Sequence, residues 1–388
     1  MRLPSSEGLR DLIAWEPRHG VLSVYLEIDP GDRGGGWRVE LRDQLDAIKV
    51  AARGDERERR AAIEATVERI AERFGGDAPP SGRMQIGFLE VSMKPGRVGR
   101  EEWFAAQYPV ERTRVVHAPR PHLRTLAEIL DGGRPRAVAA LSSERVRLFQ
   151  WRLGTIEELA VDDLEIFSLD WRERKGPQAR DPASAQGVTS AGRDQFDQRL
   201  EQNRKRFLKE TGARSSRALN GEARRELLCI GEPQLAEAFI AGWDQPPSRF
   251  AIDHHDVIAE PAQAVGERVT AKLAELDAER GAELVERATG AALARNGSGA
   301  LGPSQTARAL ARGQVEHLLI DAERELDAGQ LDAEVRAEIE ATSPPATGRL
   351  DEWIVEEAIR TSAAITAIRD DPAEQLAEHG GVAGLLRY

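Results

Sequence analysis

The sequence contains almost no cysteine and no long apolar segment, and each absence excludes a class of protein. Cys229 is the single cysteine among 388 residues, which excludes an internal disulfide and a zinc site built from several cysteines. No apolar run approaches the roughly 20 residues that span a bilayer. Residues 1–20 also lack the apolar core of a signal peptide. We therefore expect a cytoplasmic protein without membrane contacts.

The composition is typical of a globular protein whose acidity is confined to one part of the chain. Hydrophobic residues make up 40% and charged residues 31%, which argues against disorder, and the length predicts two or three domains. The formal net charge is −12, and residues 256–388 account for all of it, with 13 Lys/Arg against 25 Asp/Glu. An acidic surface repels phosphate, so nucleic-acid contacts are expected in the first two thirds of the chain. The alternative, to which we give equal weight, is that the acidic residues only keep this part of the chain soluble.

Residues 1–134 are predicted to form an α/β domain. An alternating strand is expected at 20–30 and a second strand at 83–91. Between them lies a helix whose apolar residues share one face, namely Ile63, Val67, Ile70 and Phe74. A helix at 121–136 ends in a Gly/Pro break, where the first domain boundary is placed.

Residues 135–258 are predicted to form a second α/β domain. Two β-rich runs fall within 136–159, and strands on either side of a helix are expected at 226–232 and 248–255. Residues 172–192 are polar, rich in Gly, Pro, Ser and Ala, and without a period, which predicts a long mobile loop. A helix over 193–209 follows, and its apolar face carries Phe196, Leu200 and Phe207.

Residues 259–388 are predicted to form a small α/β/α sandwich. A long polar helix is expected at 262–289, and helix–strand pairs are expected at 297–321 and 352–370. The terminal segment GGVAGLLRY is predicted to be a strand docked into the same sheet. Its glycines, Gly380 and Gly381, would allow a close backbone approach.

Several stretches, taken in order, resemble the archaeo-eukaryotic class-1 peptide-chain release factors and their relative Pelota. The fairly specific pair is GPSQTARALARGQVEHLLID with EHGGVAGLLRY, which is similar to paired motifs in the third domain of that superfamily. Weaker similarities are HGVLSVYLEIDP to the decoding domain, RAVAALSSERVRLFQWRLGTIEEL to the middle domain, and GRDQFDQRLEQNRKRFLKE to the helix after the GGQ loop. The resemblance spans the whole chain. It implies an N-terminal decoding-type domain, a middle RNase H-like domain, and a C-terminal domain similar to kink-turn-binding ribosomal proteins.

Two departures from the superfamily pattern bear on function. The GGQ tripeptide, whose glutamine places water against the peptidyl-tRNA ester, has GPQ at 176–178 as its nearest match. Proline there removes a backbone N–H and the freedom of a glycine. A second alignment places 191–192 before the helix, with no adjacent glutamine. The stop-codon motif Asn-Ile-Lys-Ser is replaced by AIKV at 47–50. In this the chain resembles the bacterial branch of the superfamily, which includes the ribosome-hibernation factor Balon and can lack GGQ.

The resemblance and the charge pattern together predict a ribosome- or RNA-binding set. Its members are Lys49, Arg53, Lys175, Gln178, Arg193, Arg199, Arg204, Lys205, Arg206 and Lys209. The helix over 193–209 is expected to direct its basic side chains away from the apolar face and towards rRNA or tRNA phosphates. An ordinary solvated face is the alternative, because acidic residues alternate with basic ones there and after Arg53.

No catalytic or metal-binding set is predicted. Residues 253–256, Asp-His-His-Asp, cannot converge on one ion, because adjacent strand residues point to opposite faces. His117 and His122 are expected to be structural, and Cys229 is expected to be an inert core thiol. The carboxylates of the middle segment show no convincing arrangement for Mg²⁺, and these are Glu144, Asp162 and Asp163.

The resemblance thus implies a ribosome-binding translation factor that occupies the A site without a cofactor, in hibernation or rescue. It also implies a translational GTPase as a partner of the acidic C-terminal domain, and we expect a monomer. Two alternatives stay open. One is a peptidyl-tRNA or tRNA hydrolase in which Gln178 or another loop residue positions water, and the other is a protein-binding scaffold off the ribosome.

Overall fold

The computed structural model describes residues 3–29, 35–76, 80–92, 99–108, 113–164, 190–219, 221–294, 297–342 and 349–387. These residues form helices and strands in three sheets, which confirms the predicted α/β class. The chain divides into two compact units. Unit 1 comprises Met1–Gly133 and Ala274–Tyr388, and unit 2 comprises Arg134–Leu273. The three-domain division at 134/135 and 258/259 stays a prediction.

The N-terminal part of unit 1 is an antiparallel sheet with helices. Its strands are β1 (Val21–Glu27), β2 (Met84–Glu90), β3 (Glu101–Ala106) and β4 (Arg114–Ala118). They lie in the order β3-β2-β1-β4, and every pairing is antiparallel. The helices are α1 (Ser6–Ile13), α2 (Gly36–Ala51), α3 (Arg57–Phe74) and α4 (Arg124–Gly132). The predicted strands and the predicted helix after Asp55 are therefore confirmed, whereas α1, α2, β3 and β4 were not predicted.

Strand β1 has two differently used faces because successive side chains alternate across a sheet. Leu22, Val24 and Leu26 belong to one apolar cluster with the apolar faces of α2 and α3. On the opposite face, Ser23 accepts a hydrogen bond from the backbone N–H of His122 at 2.9 Å, and the Tyr25 hydroxyl donates to the carbonyl of the same residue. Strand β1 thus fixes the backbone of the segment that leads into α4.

Unit 2 is built on a five-stranded mixed sheet. Its strands are β5 (Arg136–Leu141), β6 (Arg145–Arg152), β7 (Thr155–Asp163), β8 (Glu226–Ile230) and β9 (Arg249–Asp253), in the order β7-β6-β5-β8-β9. Strands β5, β8 and β9 are parallel to one another, and β6 and β7 are antiparallel neighbours. Helices α5 (Ser190–Ala218) and α6 (Pro233–Ile240) accompany the sheet, and α7 (Ala262–Leu293) contributes residues to both units.

The region predicted to be a mobile loop is described only at its end. Residues 165–189 lie outside the described part of the chain, so the prediction for 172–189 is untested. Ser190, Ala191 and Gly192 already belong to α5, so the helix begins three residues before the predicted position. The prediction was wrong there because a Ser-Ala-Gly sequence carries no apolar period of its own.

The C-terminal part of unit 1 is a four-stranded sheet in the order β10-β13-β11-β12. The strands are β10 (Gly299–Leu301), β11 (Val315–Asp321), β12 (Ala364–Ile368) and β13 (Val382–Leu386). The helices are α8 (Gly302–Ala311), α9 (Ala333–Thr342), α10 (Leu350–Arg360) and α11 (Asp370–Ala377). Both predicted helix–strand pairs are present, whereas β10, α9 and α11 were not predicted.

The terminal apolar segment is a strand inside this sheet, as predicted. Strand β13 lies between β10 and β11 and is antiparallel to both. Gly380 and Gly381 precede it with φ of 82° and 79°, a backbone region that side chains disfavour. A Cβ on Gly380 would also lie 2.7 Å from Cδ of Pro303. Glycine is therefore needed there both for the backbone angle and for the space.

Candidate nucleic-acid interface

Helix α5 carries most of the predicted RNA-binding residues, and its described half is anchored on the sheet of unit 2. Phe207 and Leu208 are buried in one apolar cluster with Leu148 and Leu227 of the sheet. The same helical face continues through the buried Thr211, Ser215 and Ser216. The predicted burial of Phe207 is confirmed, Leu200 is half-buried, and the side chain of Phe196 lies outside the described residues.

Close backbone contact fixes α5 against the end of α6. A Cβ on Gly212 would lie 2.0 Å from the carbonyl oxygen of Phe239, and one on Gly242 would lie 1.9 Å from the carbonyl oxygen of Lys209. Because both positions are glycine, the backbone of α5 and the backbone after α6 approach each other more closely than any side chain would permit. This contact fixes the position of the part of α5 that carries the exposed basic residues.

The exposed side of α5 holds three of the predicted basic residues. Lys205 and Arg206 have side chains 66% and 76% exposed, and Lys209 is exposed as well. Lys205 forms an i,i+4 ion pair with Glu201 at 3.6 Å, and Arg206 forms one with Glu210 at 3.6 Å. Exposed pairs of this kind contribute only about 0–1 kcal/mol, so a phosphate could replace either acid.

Arg204 differs from its neighbours. Its side chain is 30% exposed, and its Nη2 lies 3.5 Å from Oε1 of Glu144 at the β5–β6 turn. The Nε of Arg204 is buried without a hydrogen-bond partner among the described residues. We expected Arg204 on the outer surface with Lys205 and Arg206. That expectation was wrong, because position 204 precedes Phe207 and Leu208 by one helical turn and shares their face.

The other predicted binding residues are distributed as follows. Lys175 and Gln178 lie outside the described residues. Arg193 and Arg199 lie on α5, but their side chains are outside the described part. Lys49 and Arg53 belong to unit 1, where Lys49 lies half-buried in the last turn of α2 and Arg53 is exposed in the 3₁₀ turn Ala52–Gly54. Lys49 is thus placed where a cation interacts favourably with the carboxyl end of a helix.

The three carboxylates considered for an RNase H-like metal site are each bound to a different arginine. Glu144 contacts Arg204, and Asp162 accepts from Nη2 of Arg214 at 2.8 Å. Asp163 accepts from Nη2 of Arg145 at 3.1 Å, and this hydrogen bond lowers the pKa of the Asp163 carboxyl. Among the described residues no group of three or more His, Cys, Asp or Glu side chains could hold a metal ion.

The remaining candidate side chains have structural partners. His255 Nδ1 contacts Oδ1 of Asp253, and His117 Nε2 lies 2.8 Å from the carbonyl oxygen of His19. Burial lowers the pKa of His117. Burial also raises the pKa of the Cys229 thiol to about 12, which keeps it protonated and unreactive at neutral pH.

A buried charge cluster in unit 1 was missed by the sequence analysis. It joins the segment Arg120–Arg124 to three carboxylates of α10, which are Asp351, Glu352 and Glu356. The sequence signal was present as RPHLR at 120–124 and DEWIVEE at 351–357. Charged residues on a helix are nevertheless usually solvated, so the pattern predicts burial poorly.

In the part of the chain that the structure describes, no helix combines the length and apolarity needed to cross a membrane.

Comparison with known proteins found one family model and several solved structures that are similar to this chain. A family model described as bacterial archaeo-eukaryotic release factor family 10 matches residues 121–274. Among solved structures, an archaeal translation termination factor, aRF1, is 17% identical with a TM-score of 0.25, over 99% of each chain. Pelota from Archaeoglobus fulgidus is 13% identical with a TM-score of 0.34, over 79% of each chain. Dom34 from S. cerevisiae, a translation termination-like factor interacting with Hbs1, is 11% identical with a TM-score of 0.36, over 79% of this chain and 80% of its own. No curated protein matches the sequence.

The match covers α4, the sheet of unit 2 and α5. It confirms the resemblance that the sequence motifs indicated, namely a similarity to the bacterial archaeo-eukaryotic release factor families.

Proposed function

We propose that this protein is a translation factor that binds the ribosome through RNA contacts of α5. The observation that carries the proposal is the family match over residues 121–274, because this segment contains α5 and its supporting sheet. The exposed basic side chains of α5 supply a chemistry suited to phosphate. Cytoplasmic location, a monomeric state and a translational GTPase as partner of the acidic C-terminal part belong to the same proposal.

The charge of α5 supports an RNA contact. The helix carries eight Lys/Arg and four Asp/Glu, so its net charge is +4. Glu201 and Glu210 pair with Lys205 and Arg206 at the surface, but weakly, and release of counterions from RNA would favour replacing these two acids by phosphates. Lys209 adds a further exposed cation.

The absence of a GGQ tripeptide from the sequence leads us to propose occupancy of the A site without peptidyl-tRNA hydrolysis. Proline at position 177 removes the backbone N–H and the conformational freedom that the second glycine of GGQ provides. Occupancy without hydrolysis is the behaviour expected of a hibernation or rescue factor. The same proposal predicts no peptide release when the purified protein is added to ribosomes carrying peptidyl-tRNA and an empty A site.

The test is ribosome co-sedimentation across a salt series with the variant Lys205→Gln/Arg206→Gln/Lys209→Gln. We choose these three residues because their side chains are exposed, and leave out Arg204 because it is partly buried against Glu144. Each lost phosphate contact should reduce the slope of log affinity against log salt by about 1. The variant should therefore bind more weakly and show a slope smaller by roughly 2 to 3.

The matched control removes three exposed arginines outside α5, in the variant Arg152→Gln/Arg225→Gln/Arg312→Gln. It changes the net charge equally, so a purely long-range electrostatic effect would weaken both variants alike. An α5 variant with unchanged affinity and slope would refute the RNA contact. Peptide release that disappears in Gln178→Ala would instead favour the hydrolase.

A further inference from the structure

Helix α10 presents three buried carboxylates to the segment Arg120–Arg124 of unit 1. Asp351, Glu352 and Glu356 are 0%, 5% and 4% exposed. Each of them has a partner in the N-terminal part of unit 1, more than 200 residues away in sequence. We call these three carboxylates and the segment Arg120–Arg124 the α10 latch. It joins the two parts of unit 1 through charged contacts.

Glu352 caps the start of α4. Its carboxylate accepts hydrogen bonds from the backbone N–H groups of Leu123 and Arg124, and its Oε2 lies 2.7 Å from Nδ1 of His122. A carboxylate at this position satisfies helix donors that would otherwise be buried without partners. Strand β1 holds the His122 backbone from the other side through Ser23. His122, just before α4, thus connects the N-terminal sheet to α10, because it contacts Ser23 of β1 and Glu352 of α10.

Asp351 lies at the centre of the latch and has two arginine partners. Nη1 of Arg124 contacts its Oδ2, and Arg349 reaches the same carboxylate with Nη2 at 2.7 Å and Nε at 3.2 Å. Burial raises the pKa of Asp351, but the hydrogen bond from Arg349 and the charge of Arg124 outweigh burial and lower it overall. Asp351 therefore stays ionised over the ordinary pH range.

Glu356 differs from Asp351 because a single cation of the facing segment compensates its burial. Its Oε2 lies 2.9 Å from Nη1 of Arg120. Burial raises the pKa of Glu356 to about 7, Arg120 offsets this only in part, and the charge of Glu352 raises it further.

The remaining charged groups around Glu356 do not compensate its burial. On α10 itself, Arg360 lowers and Glu357 raises its pKa. Glu16 lies 4.0 Å from Nε of Arg120 and thus shares that cation. On α1, Arg10 is hydrogen-bonded to Ser362. The other charged side chains of the helices that pack against α10 are Glu7 and Asp11 of α1, Arg124, Glu128 and Asp131 of α4, and Arg308 of α8.

We propose that the α10 latch is a proton-responsive joint within unit 1, held closed when Glu356 carries a proton and loosened when Glu356 ionises. Opening the joint would return Glu356 to water, where a glutamate releases its proton near pH 4.3. The closed form therefore holds a proton that the open form releases at pH values between about 4.3 and 7. Closure is consequently strongest at the acidic end of this interval, weakens as the pH rises through it, and levels off above the pKa of the closed form.

The test is hydrogen exchange of the full chain, measured by mass spectrometry at several pH values and corrected for the intrinsic exchange rate. Peptides covering 121–133 and 350–361 report on the latch. In the wild-type protein their protection should fall, relative to Glu356→Gln, by on the order of 100-fold between pH 5 and 8. The variant is neutral at every pH, and its side-chain oxygen can still accept from Arg120. Its protection should therefore not depend on pH in this way.

Two further variants separate the joint from general effects. Glu338→Gln removes a carboxylate that pairs with Arg308 and Arg312 at 3.3 and 3.1 Å but lies outside the latch, so it should keep the wild-type profile. Arg120→Gln removes the cation of the facing segment that pairs with Glu356, so the fall in protection should extend to higher pH. Parallel pH profiles for the wild type and Glu356→Gln would refute the proposal. So would an equal loss of protection in β1 and β5, because that result would indicate global unfolding.

Discussion

Replacement of the buried Arg124 by methionine should destabilise unit 1 strongly. The side chain is 2% exposed and uses every nitrogen of its guanidinium group. Nη2 donates to the carbonyl oxygens of Asp321 and Ala322 at 2.8 Å each, Nε donates to Glu128 at 3.2 Å, and Nη1 binds Asp351. Methionine preserves much of the volume but supplies none of these donors.

The magnitude follows from which groups lose their partners. Asp351 keeps Arg349, and Glu128 keeps a contact of 3.6 Å with Arg369, so neither carboxylate is left entirely without a cation. The carbonyls of Asp321 and Ala322 lose their donor, and an unsatisfied buried polar group costs about 1–3 kcal/mol. Together with the broken ion pair, we expect a loss of about 3–5 kcal/mol. For a unit of this size, that corresponds to a melting temperature lower by at least about 6 °C.

Differential scanning calorimetry on Arg124→Met measures this loss, and two comparisons make it specific. Arg312→Met removes an arginine that is 53% exposed and pairs with Glu338 at 3.1 Å, and should cost only about 0–1 kcal/mol. In a double-mutant cycle with Asp351→Asn, the double variant should lose less stability than the sum of the losses in the two single variants. The expected coupling energy is about 0.5–3 kcal/mol. A melting temperature within 2 °C of the wild type for Arg124→Met, or strict additivity, would refute the argument.

Two further predictions follow from single positions. Gly380→Ala should destabilise unit 1 by about 1–3 kcal/mol in thermal unfolding, because alanine would be strained at φ 82° and its Cβ would meet Pro303 at 2.7 Å. Gly290→Ala is its control, since it lies inside α7 with no atom within 4 Å of the added Cβ and should be neutral or stabilising by up to about 1 kcal/mol. Cys229, with its burial and a pKa of about 12, should resist iodoacetamide in the native protein at pH 8 and react once urea unfolds the chain. Rapid alkylation of the native protein would contradict its placement in β8.

The elements that could be predicted from the sequence are those whose residues alternate with a local period. Strand β1 follows from an alternating apolar run that ends at Asp-Pro, and α3 follows from apolar residues spaced along one helical face. Strand β13 follows from a short apolar run after two glycines. Strands β3 and β4 are short and combine apolar with charged or polar residues without a regular alternation. They form strands because β2 and β1 offer them hydrogen bonds. Pairing of this kind depends on distant parts of the chain, which a local period does not reveal.

The candidate interface was likewise predictable from the sequence only where it depends on local helical geometry. The apolar face of α5 and its exposed Lys205 and Arg206 follow from a helical step of about 100° per residue. The inward orientation of Arg204 follows from the same step, because position 204 lies one turn before Phe207 and Leu208. Its contact with Glu144, at a turn sixty residues earlier, does not follow from that step.

The sequence by itself therefore determined the α/β class, the terminal strand, the basic helix and the absence of GGQ, since each is a property of neighbouring residues. Only the tertiary structure decided that Asp351, Glu352 and Glu356 are buried. Taken alone, three carboxylates on a helix are typical of a solvated face. They are buried here because Arg120, His122 and Arg124, more than 200 residues earlier in the chain, supply the charges and donors that make their removal from water tolerable.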